Sequence, residues 1–377
     1  MTTVVVAPHK VVGFPQGGGH FWVYMQYVLG LRQLGCQVYW LEQLHPEEKA
    51  LRDPATLQVF TDRMARFGLR DRFILYSCDG DRLDFHVGGP ENAEAILQGA
   101  DLLLNFHYAA EPPILNHFRR TALVDIDPGL LQFWISQRQL TVQPHDLYFT
   151  IGETVGTERA RFPDVGISWL PTRPVVNLDA WPFHYLPDAA PFTSVSTWAT
   201  DSWMVDGTIA YENSKRITYR QFAQLPSLTN QELELALYLI DKDDAEREWM
   251  EGQGWSIRLS TEVAGDPEQY RAYIQASRGE FSVAKPAYLS FQTAWVSDRS
   301  LCYLASGKPV VVQDTGPSTY LPVGEGLFRF KSLEQAAAAI ETINQDYAGH
   351  CRAARQIAQT LFDSRTVLHD LLDRALA

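Results

Sequence analysis

The stretch at residues 279–316, GEFSVAKPAYLSFQTAWVSDRSLCYLASGKPVVVQDTG, indicates the fold of this chain more clearly than any other. It predicts a short strand, a loop carrying Lys285, a helix that begins at Ser297, and a buried strand at 309–313. Serine is a frequent helix N-cap, and Gly307 suits the helix end. The run of valines that follows is typical of a strand buried on both faces. A strand–helix–strand order of this kind indicates a parallel sheet covered by helices.

Charged residues stand at the predicted strand-to-helix junctions of this half. Lys285, Arg299 and the turn Asp314-Thr315-Gly316 occupy three of them, and Lys215 with Arg216 occupies another in YENSKR. A lysine at a helix start is usually only solvated. Helix N-termini at the carboxyl ends of parallel strands, however, bind anions through free N–H groups and the helix dipole. Together these groups predict a diphosphate site.

Composition limits the classes of protein that this chain can represent. Its 377 residues suggest two or three domains, and 46% hydrophobic with 20% charged residues is typical of a globular protein. A net charge of −13 argues against nucleic acid or an anionic membrane as the main partner. We find no apolar run of about 20 residues and no signal peptide, so no integral membrane segment is expected. Four scattered cysteines fit a reducing cytosol, which predicts a cytoplasmic protein.

The pattern of the chain predicts two α/β halves. In the first, strands are expected at 4–7, 37–41, 72–76, 101–106, 122–126 and 147–151, with helices at 20–34, 54–67, 90–98 and 129–137. A proline-rich segment at 170–191 predicts the interdomain linker. In the second half, a strand is expected at 193–198 and helices at 214–223, 266–277, 298–306, 333–345, 350–362 and 365–376. The predicted domains are 1–178 and 193–362, with a linker at 179–192 and a final helix at 363–377.

A glycine-rich loop precedes the first predicted helix. Gly17, Gly18 and Gly19 allow close backbone approach to a ligand, and His20 follows them at the mouth of the helix. A neutral imidazole in that place can take the proton of an attacking hydroxyl. The alternative is a histidine that only lines the cleft or hydrogen-bonds the turn. The spacing is not GxGxxG, so a nicotinamide cofactor is not expected.

Polar side chains also end the strands of the first half. Asp125-Ile126-Asp127 invites a metal interpretation, but no second ligand cluster accompanies it, and helix capping or an acceptor-side role fits better. Asn105, His107 and Asp127 are candidates for the acceptor side, with simple strand termination as the alternative. We expect neither a metal nor a resident cofactor.

With these motifs the chain resembles glycosyltransferases of the two-Rossmann-domain GT-B type, in particular the bacterial spore-coat CgeB-like group of family-1-like and family-4-like enzymes. The resemblance is most specific in EFSVAK, SDRSLCYLASGKPVVVQDTG and LPVGEGLFRF, and VDIDP, TIGE and WLPTRPVV extend it to the first half. It implies two doubly wound domains facing a central cleft. The nucleotide-sugar would bind to the second domain and the acceptor to the first. No metal would be required, and the final helix would cross back to the first domain.

Two positions refine this expectation. Many retaining relatives have a glutamate where this chain has Cys302, so Asp298, one turn earlier, is expected to contact the donor. His20 matches the histidine base of inverting relatives. The resemblance thus implies a metal-independent transferase that uses a nucleotide diphosphate-sugar as co-substrate and a small-molecule, glycan or protein acceptor. A nucleotide-sugar 2-epimerase, which would need additional carboxylates, and a non-catalytic nucleotide- or sugar-binding protein remain alternatives.

Overall fold

Two sheets and their flanking helices form the molecule. The structure is a computed structural model that describes residues 1–44, 54–187, 190–200, 203–206, 209–240 and 243–377. The N-terminal sheet has eight strands in the order β4-β3-β2-β1-β5-β6-β7-β8, and only β4 is antiparallel to its neighbour. Its strands are β1 (Thr3–Ala7), β2 (Gln37–Gln43), β3 (Phe73–Asp79), β4 (Arg82–Val87), β5 (Leu102–Asn105), β6 (Thr121–Asp125), β7 (Leu147–Thr150) and β8 (Trp169–Pro171).

The second sheet has six parallel strands in the order β13-β12-β9-β14-β15-β16, and β10 and β11 form a separate antiparallel hairpin. These strands are β9 (Phe192–Thr197), β10 (Trp203–Asp206), β11 (Ile209–Glu212), β12 (Leu233–Tyr238), β13 (Ser256–Leu259), β14 (Gly279–Ser282), β15 (Val310–Gln313) and β16 (Leu327–Phe330). In both sheets the strand order reverses beside the first strand, at β1/β5 and at β9/β14. Open α/β sheets bind ligands at this kind of reversal.

Helices connect the strands and cover the sheets. Their bounds are α1 (Gly18–Gln33), α2 (Pro54–Arg66), α3 (Ala93–Gly99), α4 (Pro112–Leu115), α5 (Leu130–Ser136), α6 (Lys215–Gln221), α7 (Asp244–Gly252), α8 (Ser260–Val263), α9 (Pro267–Ala276), α10 (Pro286–Phe291), α11 (Asp298–Ala305), α12 (Leu333–Gln345), α13 (Tyr347–Ile357) and α14 (Ser364–Leu376). A π-helical turn, Ala358–Phe362, joins α13 to the segment before α14. No helix in the described ranges is both long enough and apolar enough to cross a bilayer.

Alternation of buried side chains explains the sheet cores. Val4 and Val6 of β1 belong to one apolar cluster, while Val5 belongs to the cluster on the opposite face. Helices therefore cover β1 on both faces, as a continuous apolar run predicts. The predicted strands of the first half are all present, but the pattern did not predict β4 or β8. Strand β4 alternates exposed and half-buried residues and lacks the apolar run that marks the central strands.

The last helix, α14, lies against the N-terminal half. Gly30 of α1 leaves space for Ser364 and Leu368 of α14, to which a Cβ on Gly30 would come within 2.7 Å and 2.6 Å. Arg120 Nε donates a hydrogen bond to the Ala375 carbonyl at 3.0 Å. The chain thus returns to the first sheet after completing the second, while the domain boundaries given above stay a prediction.

Candidate functional site

A cavity of about 350 Å³ lies where the carboxyl ends of the two sheets face each other. Because the sequence predicts that the donor binds at these strand ends, we call it the donor cavity. Its walls combine side chains that follow β1 and β6 with side chains that follow β9, β12, β13 and β14. The residues that line it are Phe14, Gln16, Gly17, Gly18, Gly19, His20, Val23, Asp127, Val195, Ser196, Thr197, Thr200, Lys215, Tyr238, Ser260, Ala264, Tyr270, Lys285, Tyr288, Trp295, Ser297, Asp298 and Arg299.

The glycine-rich loop brings the two halves of the molecule together. A Cβ on Gly18 would lie 2.5 Å from the Ala264 carbonyl oxygen and 2.6 Å from that of Asp266. Close by, Trp22 Nε1 donates a hydrogen bond to the Pro267 carbonyl at 2.8 Å. Glycine at position 18 therefore lets α1 begin directly against the backbone of the second half, in addition to lining the cavity.

Gly18→Ala should open this contact. Because the neighbouring atoms are backbone, relaxation has to separate the two halves, and overpacking of this kind costs about 1–3 kcal/mol. We expect a lower free energy of unfolding in urea and weaker binding of the nucleotide that the sequence predicts. The matched control is Gly99→Ala, because a Cβ there meets nothing within 4 Å. A Gly18→Ala protein as stable as the control would contradict this account of the loop.

His20 is held by one of its two ring nitrogens. Its Nε2 donates a hydrogen bond to the His9 carbonyl at 2.7 Å, so the neutral ring carries its lone pair on Nδ1. The ring packs edge-on against Tyr24, with centroids 5.4 Å apart. Burial lowers the pKa of His20, although the His9 carbonyl and the charge of Asp127 act in the opposite direction. His20 is therefore a neutral potential base at pH 7.

Three cationic side chains line the opposite wall. Arg299 is anchored from below, since its Nε donates to Glu280 Oε1 at 2.7 Å and its Nη1 to the Val195 carbonyl at 2.8 Å. Burial lowers the pKa of Lys215 well below its ordinary value, and the charges of Arg299 and Lys285 lower it further. Positive charges so close together that they oppose each other's protonation favour an anionic ligand.

The N-terminus of α11 completes this wall. Ser297 is its N-cap residue, as predicted, but its side chain makes no capping hydrogen bond within the described part of the chain. First-turn N–H groups lack intrahelical partners and are not satisfied by that hydroxyl. Asp298 lines the cavity, and burial raises its pKa, while Arg299 and Lys215 act to lower it.

Two predicted elements of the anion site do not line the donor cavity. Arg216 turns away and pairs with Glu212 and Glu246. Asp314 Oδ1 accepts the Gly316 N–H at 2.9 Å, and its carboxylate pairs with Arg329 and Lys331.

The Asp314–Thr315–Gly316 turn instead supports an aromatic pair. Thr315 Oγ1 donates to the Trp295 carbonyl at 2.7 Å. The Trp295 ring lies flat on Tyr288, with centroids 4.2 Å apart, and both rings line the cavity. None of these three turn residues lines the cavity, so their role in donor binding stays a prediction.

Asp127 joins the two halves across the cavity. Its Oδ1 accepts a hydrogen bond from Tyr288 at 2.7 Å, and its Oδ2 accepts one from Tyr108 at 3.2 Å. The neighbouring Asp125 is fully buried and accepts hydrogen bonds from the Asp127 N–H, Gln132 and Thr150. Burial raises the pKa of Asp125 to about 7, against the effect of the hydrogen bonds from Gln132 and Thr150. Asp125 shapes the loop, and Asp127 faces the ligand space.

A second cavity of about 350 Å³ lies beside Asp127, among side chains of the N-terminal half. Because the sequence predicts the acceptor on this side, we call it the acceptor chamber. His107 lines it, whereas Asn105 is fully buried and exchanges hydrogen bonds with the His107 backbone at 2.9 Å and 3.1 Å. Asn105 therefore positions His107. The lining residues are His9, Tyr24, Phe106, His107, Tyr108, Ala109, Ile126, Asp127, Trp134, Gln139 and Leu140.

Several lining residues were not singled out from the sequence. Thr197 ends β9, Tyr238 ends β12 and Ser260 follows β13, so strand-end position was the available signal. Tyr288 and Trp295 lie within residues 279–316, but their stacking depends on the path of the backbone between them. Ala294 in that segment has a φ of 59°, a region that residues with a Cβ rarely adopt. In the described ranges no group of three or more His, Cys, Asp or Glu side chains is placed to hold a metal ion.

Comparison with solved structures identifies the fold. An alpha-glucosyltransferase in complex with UDP-glucose and DNA containing an abasic site is 11% identical over 100% of this chain and 99% of that chain, with a TM-score of 0.60. Sucrose-phosphate synthase from Thermosynechococcus elongatus is 13% identical over 100% of this chain and 99% of that chain, with a TM-score of 0.55. HepE from Anabaena, in complex with UDP and glucose, is 10% identical over 99% of each chain, also with a TM-score of 0.55.

These whole-chain similarities confirm the predicted fold class: the protein has the α/β GT-B architecture of glycosyltransferases, with two Rossmann-like doubly wound domains facing a central cleft. No family model and no curated protein matches the sequence. The narrower resemblance to the CgeB-like group accordingly stays a prediction.

Proposed function

We propose that this protein is a metal-independent glycosyltransferase that moves a sugar from a nucleoside diphosphate-sugar to an acceptor hydroxyl. The observation that carries the proposal is the donor cavity. There a neutral imidazole from the first half faces three cationic side chains and a helix N-terminus from the second. A base and an anion-binding wall on opposite sides of one space are the two groups that glycosyl transfer requires.

The diphosphate of the donor would lie against Lys215, Lys285 and Arg299. As the bond between the sugar and the diphosphate breaks, negative charge grows on the departing phosphate oxygens. Fixed cations and the first-turn N–H groups of α11 stabilise that charge more in the transition state than in the bound substrate, which is the condition for catalysis. Three cations can supply this stabilisation in the absence of a divalent ion.

His20 would act on the acceptor. Its Nδ1 takes the proton of the acceptor hydroxyl while the acceptor oxygen bonds to the anomeric carbon and the diphosphate leaves from the other side. A base that activates the incoming hydroxyl in one displacement step inverts the configuration at that carbon. Asp127, which raises the pKa of His20, stabilises the imidazolium that forms.

The donor nucleotide can be tested directly. Similar structures hold UDP or UDP-glucose, which makes UDP the first nucleotide to examine, followed by GDP and dTDP. With EDTA present throughout, we expect UDP to raise the melting temperature and a UDP-sugar to be consumed when an acceptor is added. The proposal fails if none of the three nucleotides shifts the melting temperature.

Binding of UDP should weaken as pH rises from 7 to 9. Lys215 has a lowered pKa in the free protein, and an arriving diphosphate favours its protonated form, so binding takes up a proton. Rising pH opposes that uptake and therefore lowers the affinity. Calorimetry in two buffers of different ionisation enthalpy measures the proton directly. Lys215→Gln should remove the uptake, whereas Lys331→Gln, at an exposed lysine paired with Asp314, should not.

Two alternatives share the fold and are separated by simple experiments. An epimerase would convert the donor without any acceptor. Asp127 and Asp298, which line the cavity, would supply the carboxylates that it needs. A non-catalytic binding protein would bind the nucleotide and leave the donor intact whatever the acceptor.

We place the protein in the cytoplasm, as its cysteine usage predicts, and we expect an acceptor other than nucleic acid because the chain carries a net charge of −13.

A further inference from the structure

Aromatic rings form most of the wall of the acceptor chamber. Tyr24, Phe106, Tyr108 and Trp134 line it, and the rings of His9 and His107 stack on each other with centroids 4.6 Å apart. Flat rings on several sides leave a space that favours a flat, apolar ligand. Its volume of about 350 Å³ is near the lower end of the range for small-molecule sites, about 300–1,000 Å³, which suits one or two fused rings.

The charge of the chamber excludes anionic ligands. No lysine or arginine of the described residues lines it, and Asp127 is its carboxylate. A phosphate or carboxylate on the acceptor would be desolvated beside this negative charge with no cation to pair with it. Such a burial is strongly unfavourable. Among the described residues, the lysines and arginines that line the two cavities are all on the donor side.

Two polar side chains of the chamber, Tyr108 and Asp127, are already engaged within the protein. The Tyr108 hydroxyl donates to Asp127 and accepts the Ile126 N–H at 2.9 Å. Both oxygens of Asp127 accept tyrosine hydroxyls. A saccharide would bring several hydroxyls into this space, and each one left without a partner costs about 1–3 kcal/mol. A single hydroxyl on an otherwise apolar ring needs only one partner.

We propose that the acceptor chamber takes an uncharged aromatic or similarly flat ring alcohol, whose single hydroxyl points past Asp127 toward His20. The inference rests on the proposed function, and it names the class of acceptor. The O–H proton goes to His20 Nδ1, and the hydroxyl oxygen of the ring alcohol bonds to the anomeric carbon of the donor. The bond between that carbon and the diphosphate breaks, and the nucleoside diphosphate leaves with its electrons. The product is an uncharged glycoside of the ring alcohol.

Location supports this direction of approach. Tyr24 lines the chamber and meets His20 edge-on, and His9 lines it while its carbonyl accepts the His20 hydrogen bond. Asp127 lines both the chamber and the donor cavity. A hydroxyl at the inner end of the chamber therefore lies at the boundary that His20 and Asp127 share.

A matched pair of probes tests the proposal. We expect 2-naphthol to bind the full-length protein in equilibrium dialysis without donor, and 2-naphthoate, which has the same rings but carries a charge, to bind at least about tenfold more weakly. With a UDP-sugar added, mass spectrometry should detect the glycoside of 2-naphthol, and methyl glucoside should not compete. Ala109→Trp, at an exposed lining position, should block binding of 2-naphthol, whereas Ala95→Trp, an exposed alanine of α3, should not.

Each contrary result overturns the inference. It fails if 2-naphthol does not bind, if 2-naphthoate binds equally well, if methyl glucoside competes, or if Ala109→Trp leaves the affinity unchanged. Nucleotide binding, measured on the same preparations, separates this failure from that of the proposed function. Binding of UDP, GDP or dTDP without 2-naphthol binding rejects only the acceptor class, while the absence of binding by all three nucleotides rejects the transferase itself.

Discussion

Replacement of His20 by alanine should lower the turnover of glycosyl transfer about 10²–10⁴-fold, the usual contribution of a general base. The Michaelis constant for the donor should change little, because the three cations that we propose hold the diphosphate belong to the other wall. His20→Gln separates the base from the hydrogen bond. Its amide can still donate to the His9 carbonyl, as Nε2 does now, but it cannot take a proton at neutral pH. A His20→Gln enzyme with normal turnover would show that the ring has only a structural role.

The pH profile gives an independent readout of the same residue. Burial lowers the pKa of His20, so the neutral, active form persists below the ordinary value of 6.5 and is lost as pH falls through the lowered pKa. The ratio kcat/KM, which reports the pKa values of the free enzyme, should therefore be flat near pH 7 and decline on the acid side, at a pH below 6.5. Asp127→Asn removes a charge that raises this pKa, so it should shift the decline to still lower pH. A decline above pH 6.5 would contradict the assignment.

Arg299→Met should produce the largest loss of stability among single changes at the site. Arg299 is buried and bonded to Glu280, which has no exposed surface, so its removal leaves a buried carboxylate without its cation. Breaking such a pair on one side costs about 3–5 kcal/mol. The Glu280 charge also counteracts the effect of burial and holds the pKa of Arg299 above its ordinary value. The free energy of unfolding in urea measures the loss.

A second change distinguishes folding from binding at Arg299. The pair Glu280→Leu with Arg299→Met replaces both charges by apolar groups, which is often neutral for stability. We expect this double variant to recover most of the lost free energy of unfolding but to bind UDP about 10–100-fold more weakly, the effect of a lost charged hydrogen bond. Arg247→Met, in an exposed pair with Glu251, is the control and should change stability by less than about 1 kcal/mol. Normal UDP affinity in the double variant would remove Arg299 from the donor site.

Junctions between strands and helices explain why much of the site could be predicted. Each parallel strand ends at the same edge of its sheet, so residues after β1, β6, β9 and β14 converge whatever their separation in the chain. The convergence of strand ends predicts that Lys215, Lys285, Asp298 and Arg299 lie near one another, and all four line one cavity with His20 and Asp127. It requires only the identity and order of the elements, which hydrophobic patterns indicate.

The convergence of strand ends does not fix the direction of individual side chains. Arg216 follows Lys215 directly, yet it faces the opposite way, toward Glu212 and Glu246. Asp314 also ends a strand, but Arg329 and Lys331 of the neighbouring segment engage its carboxylate. A shift of one position along the chain turns a side chain in another direction, and ion pairing decides which partner it contacts. Residue types alone indicate neither the direction nor the partner.

Local patterns along the chain were sufficient to predict two parallel α/β halves and the half in which each cation lies, because strand and helix periods and their end signals act over a few neighbouring residues. Three further features are visible only in the tertiary structure. They are the contact of Gly18 with the backbone at Ala264 and Asp266, the two tyrosine hydroxyls that donate to Asp127, and the separation of an aromatic chamber from a cationic cavity. Two of these contacts, Gly18 with Ala264 and Asp127 with Tyr288, depend on how residues more than a hundred positions apart approach one another. That approach is set by the packing of two whole domains, which no single segment encodes.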